Sequence, residues 1–128
     1  MDEPAHVTEV RHTVVGADTA LALGSGDVPV LATPRLLAWL EAATVLALGE
    51  LPAGQTTVGT QVELAHVGPS QVGAAVVCRA TMVGRDARAA RFEVEAVGPD
   101  GAVVARGTLA RALVDRDSFL GRSGGQPR

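Results

Sequence analysis

Three polar side chains stand where the apolar pattern calls for hydrocarbon, and their types are those of acid/base and acyl-transfer chemistry. Glu41 lies in the run Trp39-Leu40-Glu41-Ala42-Ala43. An ionised carboxylate in an apolar interior costs several kcal/mol unless it is paired or solvated. Glu41 is therefore a proton-transfer catalyst, the partner of an arginine, or a residue on a locally exposed stripe. His66 shares an alternating face with Val62 and Leu64, just before the turn Gly68-Pro69-Ser70. It is either a satisfied core histidine or an imidazole used in proton transfer near neutrality. Thr33 precedes Pro34, which suits an N-cap followed by a proline in the first helical turn. That position also sits where the free amides of a helix start favour negative charge.

These residues need elements to hold them. The run Arg35 to Leu48 carries Leu36, Leu37, Trp39, Leu40, Val45, Leu46 and Leu48, apolar on nearly every side, and Gly49 is placed to end it. A helix of this kind, buried on most sides, requires a sheet that curls around it. Val7 to Val15 reads as a first strand, with Val10 and Val14 on one face. The stretch 16–32 follows as a long loop, a lid or a plain crossover, with three glycines and Pro29. After the helix come four further strands: Thr56 to Val67, Gly73 to Val83, Ala89 to Val97 and Ala102 to Val114. In the first of these Val58, Val62, Leu64 and His66 share a face by period-2 counting. In the third, Phe92, Val94 and Ala96 alternate with Arg91, Glu93 and Glu95. Pro99-Asp100-Gly101 is the hairpin turn that links the last two. The expected fold class is α+β, with one long buried helix wrapped by a five-stranded antiparallel sheet. Residues 1–116 form a single domain, and 117–128 read as a tail, partly disordered.

Composition narrows the chemistry. The net charge is −3, all 11 basic residues are arginine, and only Trp39, Phe92 and Phe119 are aromatic. Neither a basic face nor stacking platforms for nucleic acid are available. Cys78 is alone, so no disulfide framework or cysteine-rich metal site is expected, and His6, His12 and His66 lack metal-ligand spacing. No apolar run is long enough to span a membrane, and the first residues are polar and acidic, unlike a secretory signal. A cytoplasmic protein without metal or cofactor is expected. No P-loop, dinucleotide fingerprint or Gly-x-Ser-x-Gly elbow is present.

The combination of Thr33, Glu41, Gly59-Thr60 and His66-x-x-Pro69-x-x-x-Gly73, with Gly107-Thr108-x-x-Arg111 in the last strand, resembles the hotdog-fold thioesterases. More narrowly it is similar to their fluoroacetyl-CoA thioesterase-like branch, from about Val10 to Phe119. The resemblance implies a hotdog fold, hydrolysis of a small acyl-CoA thioester, and homodimers or dimers of dimers with active sites at the subunit interface. It matches Thr33, Glu41 and His66 to the catalytic threonine, glutamate and histidine. It matches Gly59 to a glycine contacting the acyl portion and, with the Gly59-Thr60 motif, implies Thr60 as a further substrate-binding residue. It also matches Arg111 to a ligand or interface arginine. In one departure, the aromatic lid residues of fluoroacetyl-specific members have no counterpart in 16–32. The resemblance thus implies thioester hydrolysis without assigning fluoroacetyl-CoA as the substrate.

Under this reading Glu41 acts as general base or nucleophile, and His66 orients it or protonates the leaving thiolate. The amides near Gly59 and the helix start stabilise the oxyanion. Thr33 and Glu41 are separated by about 12 Å of helix rise. The site is therefore expected to be completed by a second subunit or by a bend at Thr33-Pro34. The rival readings are a non-catalytic acyl-CoA-binding module and an enoyl-CoA hydratase or dehydratase.

Overall fold

The computed structural model describes residues 7–123. Five strands, β1 (Val7–Thr13), β2 (Gln55–His66), β3 (Ala75–Arg85), β4 (Ala89–Val97) and β5 (Val103–Asp115), form one antiparallel sheet in the order β1-β3-β4-β5-β2. Three helices accompany them: α1 (Ala20–Leu23), α2 (Thr33–Leu48) and α3 (Arg116–Ser123). This is the expected α+β arrangement, and β4 spans the residues its alternation predicts. Phe92, Val94 and Ala96 are buried, while Arg91 and Glu93 are exposed.

Helix α2 lies across the concave face. Leu36, Leu40, Ala43 and Leu48 pack on Val76, Cys78 and Ala80 of β3, Phe92 and Val94 of β4, and Leu109 of β5. Trp39 stacks on His12 of β1 with ring centroids 4.2 Å apart, tying the helix to that sheet edge. Gly49, at φ 73°, closes the helix in a conformation that other residues rarely adopt. The expectation that α2 is covered on most sides is not met within one chain. Pro34, Ala38, Ala42, Val45 and Leu46 form an exposed apolar stripe, with Leu46 61% accessible. One curled sheet contacts only one side of a helix cylinder.

Strand β2 departs from period-2 counting. Its pairing with β5 shifts between Gly59 and Gln61, leaving Thr60 as a bulge residue. A bulge inverts the alternation. Val58 therefore faces away from Val62, Leu64 and His66, and Gly59 takes the helix-facing position instead.

The stretch 16–32 is more ordered than a plain loop. It holds a 3-10 turn (Gly16–Asp18) and α1, whose Thr19 side chain accepts a hydrogen bond from the Ala22 amide. Backbone bonds from Ala20 to Val30 (2.8 Å), Leu31 to Ser70 (2.8 Å) and Ala32 to Asp18 (2.9 Å) pin it down. Arg35 of α2 pairs with the largely buried Asp18 at 3.1 Å. Residues expected to begin the tail instead continue into α3, because Asp115 Oδ1 accepts the Ser118 amide at 2.9 Å as an N-cap. The remainder of that expected tail, 124–128, lies outside the described residues.

Candidate active site

Thr33 is the first residue of α2, and Ala32 occupies the N-cap without a side-chain bond. The capping role expected for Thr33 is therefore not used. Its hydroxyl is instead free to meet His66 at the end of β2, with Oγ1 2.7 Å from Nδ1. Burial pushes the His66 imidazole below its ordinary pKa of 6.5, and the nearby Gly68 backbone offsets part of that effect. The neutral imidazole that results at pH 7 is the form that accepts a proton. Its Nε2 is buried without a well-formed hydrogen bond to any described residue. The couple stands at the mouth of a cleft of about 400 Å³ between the 20–32 segment and the 66–69 turn.

Glu41 occupies a second locus, two turns further along α2. Its Oε2 lies 3.3 Å from Nη1 of Arg111, and its side chain is 37% exposed. The expected enclosure in hydrocarbon is not what the fold provides: the carboxylate is ion-paired and reaches solvent. Arg111 is the buried member, and β5 presents it inward directly opposite Gly59. Its Nε donates to Thr57 Oγ1 at 3.0 Å and its Nη2 to the Thr57 carbonyl at 3.4 Å. This fork holds the guanidinium plane, so Arg111 fixes where the carboxylate can sit. Gly59 completes the arrangement by what it lacks, since a Cβ there would lie 2.6 Å from Glu41 Oε2.

The fold thus joins Thr33 with His66, and Glu41 with Gly59 and Arg111. Among the described residues no hydrogen bond links the two groups. Thr60 belongs to neither, because it is the bulge residue and its hydroxyl donates to the Ala110 carbonyl at 3.2 Å. Thr57 was not foreseen as a site residue. The bulge hid it, since counting along an unbroken strand gives no reason to group Thr57 and Gly59 with His66. No group of three His, Cys, Asp or Glu side chains among the described residues is arranged to hold a metal. No helix among them is long and apolar enough to cross a membrane.

Residues 14–117 match the family model of the fluoroacetyl-CoA-specific thioesterase FlK. The chain belongs to this family. Membership places it among the acyl-CoA thioesterases, and solved structures agree on the hotdog fold. A structure of the fluoroacetyl-CoA thioesterase FlK superposes with a TM-score of 0.90 at 19% identity, covering 100% of this chain and 99% of that one. A hot-dog-like protein from Thermanaerovibrio acidaminovorans gives 0.86 at 22% identity, covering 97% and 93%. A thioesterase superfamily member from Thermus thermophilus gives 0.84 at 19% identity, covering 94% and 89%. No curated protein matches the chain in sequence.

Proposed function

We propose that the protein hydrolyses a small acyl-CoA thioester to the free acid and coenzyme A, at a site assembled from two copies of the chain. The observation that carries this reading is the Thr33–His66 contact at 2.7 Å beside an open cleft, with the only carboxylate on the inner face of α2 held apart from it by Arg111. Strand β2 is a sheet edge whose residues 59–63 are all exposed, and the apolar stripe of α2 lies uncovered as well. An antiparallel pairing of two β2 edges covers both surfaces. Because antiparallel pairing reverses the strand, it brings the His66 end of one copy toward the Gly59 end of the other. Glu41 of one subunit then faces the Thr33–His66 couple of its neighbour.

In this site Glu41 removes a proton from water as the oxygen adds to the thioester carbonyl. The oxyanion is met by backbone amides at the start of α2 and near Gly59. The tetrahedral intermediate collapses by breaking its carbon–sulfur bond, and the proton held by Glu41 passes to the departing thiolate through His66, whose neutral imidazole, bridged by Thr33, accepts it and gives it up, leaving Glu41 a carboxylate again. Arg111 positions the carboxylate throughout.

Thiol release from a panel of acyl-CoA thioesters tests the activity. Glu41→Gln is expected to lower kcat by at least about 100-fold. Mixing Glu41→Gln chains with His66→Ala chains tests the shared site, since mixed dimers then contain one site with both residues intact. Random exchange returns about a quarter of wild-type activity, because half the dimers are mixed and each has one working site. A site built within one chain gives no rescue. Ligand-dependent stabilisation without any thiol release would instead identify a binding module.

A further inference from the structure

We infer that Thr57 is a positioning residue for thioester hydrolysis, its hydroxyl aiming the Arg111 guanidinium that holds the Glu41 carboxylate. This rests on the thioesterase reading and adds to it a residue that acts on the reaction only through two others.

Glu41 leaves α2 on a long side chain that is 37% exposed, and its own helix does not direct the tip. Thr44, three residues on, donates its hydroxyl to the Glu41 carbonyl at 2.6 Å and is thereby engaged by the backbone. Among the described residues Arg111 is the one cation within ion-pair distance of the carboxylate. A partly exposed pair between two long side chains has little geometric hold unless one member is fixed. Arg111 is that member, being buried and bonded to Thr57 through both Nε and Nη2.

The two bonds to Thr57 differ in what they specify. The carbonyl would be present whatever residue stood there, and it meets Nη2 at 3.4 Å. The hydroxyl meets Nε at 3.0 Å, the shortest of the three guanidinium bonds described above. Nε and Nη2 form one edge of the rigid planar fork, and Nη1 lies on its other side. Holding that edge therefore fixes the direction in which Nη1 addresses Glu41. Threonine suits the task, since branching at Cβ restricts χ1 and keeps the hydroxyl where the guanidinium meets it. Strand parity places Thr57 on the same helix-facing side as Gly59, two residues away and before the bulge.

Three replacements separate the hydroxyl from the methyl group. Thr57→Ser keeps the hydroxyl alone, Thr57→Val keeps the branched shape without it, and Thr57→Ala keeps neither. The kcat is expected to sort by the hydroxyl. Thr57→Ser should stay within about threefold of wild type, while Thr57→Val and Thr57→Ala fall at least about tenfold, the scale of one hydrogen bond to a charged group. KM should stay within about twofold, because Thr57 lines no part of the cleft beside His66. In a Glu41→Gln background Thr57→Val should slow turnover less than about twofold further, since the hydroxyl acts through that carboxylate. The Ser and Ala variants carry the test by themselves should Thr57→Val not fold. Activities that sort by the methyl group, with Thr57→Val near wild type and Thr57→Ser slow, overturn the inference. Equal kcat in all variants, or losses that multiply in the double variant, overturn it too, and each leaves thioester hydrolysis by the wild type standing. Failure of the wild-type enzyme to release thiol from any thioester overturns both this inference and the activity beneath it.

Discussion

Replacing Gly59 by alanine separates the demands of folding from those of catalysis. The added Cβ would lie 2.6 Å from Glu41 Oε2 and 3.7 Å from Arg111 Nη1. To restore an ordinary contact of 3.4 Å, the carboxylate has to retreat by about 0.8 Å. The obstructed atom is the tip of a flexible, 37% exposed side chain, so the retreat costs the fold little. Loss of a partly exposed ion pair removes at most about 1 kcal/mol, and replacing glycine within a strand returns about 0.5–1 kcal/mol. The melting temperature is therefore expected to move by no more than a few degrees. Catalysis responds differently. The Arg111–Glu41 contact is already 3.3 Å long, and displacing the carboxylate breaks it. A misplacement near 1 Å in a catalytic group costs on the order of 100-fold in rate. The assay is thiol release followed with a thiol-reactive dye. Cys78 does not interfere, being fully buried with its thiol pushed up to about 11. A Gly59→Ala enzyme with unchanged melting and kcat within twofold of wild type would refute the placement of Glu41 in the reaction. A melting temperature lowered by more than about 8 °C would show instead that Gly59 is needed for the strand itself.

Two further outcomes follow from the same structure. Burial lowers the pKa of His66 and of His12 below 6.5, so on acidification the unfolded chain takes up protons before the folded one. Stability is therefore full above that value and falls as pH drops below it, and kcat/KM acquires an acidic limb with a midpoint under 6.5 that His66→Ala removes. Denaturant midpoints and pH–rate profiles check both; a stability that rises toward pH 5 contradicts the assignment. Gly107→Ala puts a Cβ 1.9 Å from the Glu63 carbonyl oxygen, a clash of backbone with backbone. It should cost at least about 3 kcal/mol in chemical denaturation by pushing β2 from β5, and a near-neutral result would show that the two strands can separate freely.

Much of the architecture was legible because it depends on local rules. The Phe92-Val94-Ala96 alternation marks β4, since both neighbours pair with it without interruption from Phe92 to Ala96 and shift register only at its two ends. Thr33-Pro34 marks the start of α2 and Gly49 its end. Glu41 and His66 stand out because their polarity breaks an apolar pattern, which is visible in one dimension. The termination of the domain was less legible. Asp115 caps α3 through Ser118, a short-range signal masked by the Gly- and Ser-rich residues that follow.

What the residues alone determined, then, was the element order, the core faces and the identity of the polar side chains able to perform chemistry. Tertiary structure decided how those side chains are grouped. Thr33 serves His66 rather than its own helix because β2 ends beside the start of α2, and chain neighbours cannot reveal that proximity. Gly59 lies beneath Glu41 only because Thr60 bulges from the ladder, and the bulge arises in the pairing with β5, some 50 residues away. Glu41 is held by Arg111 for the same reason: the partner is chosen by register across the sheet, which local sequence does not encode.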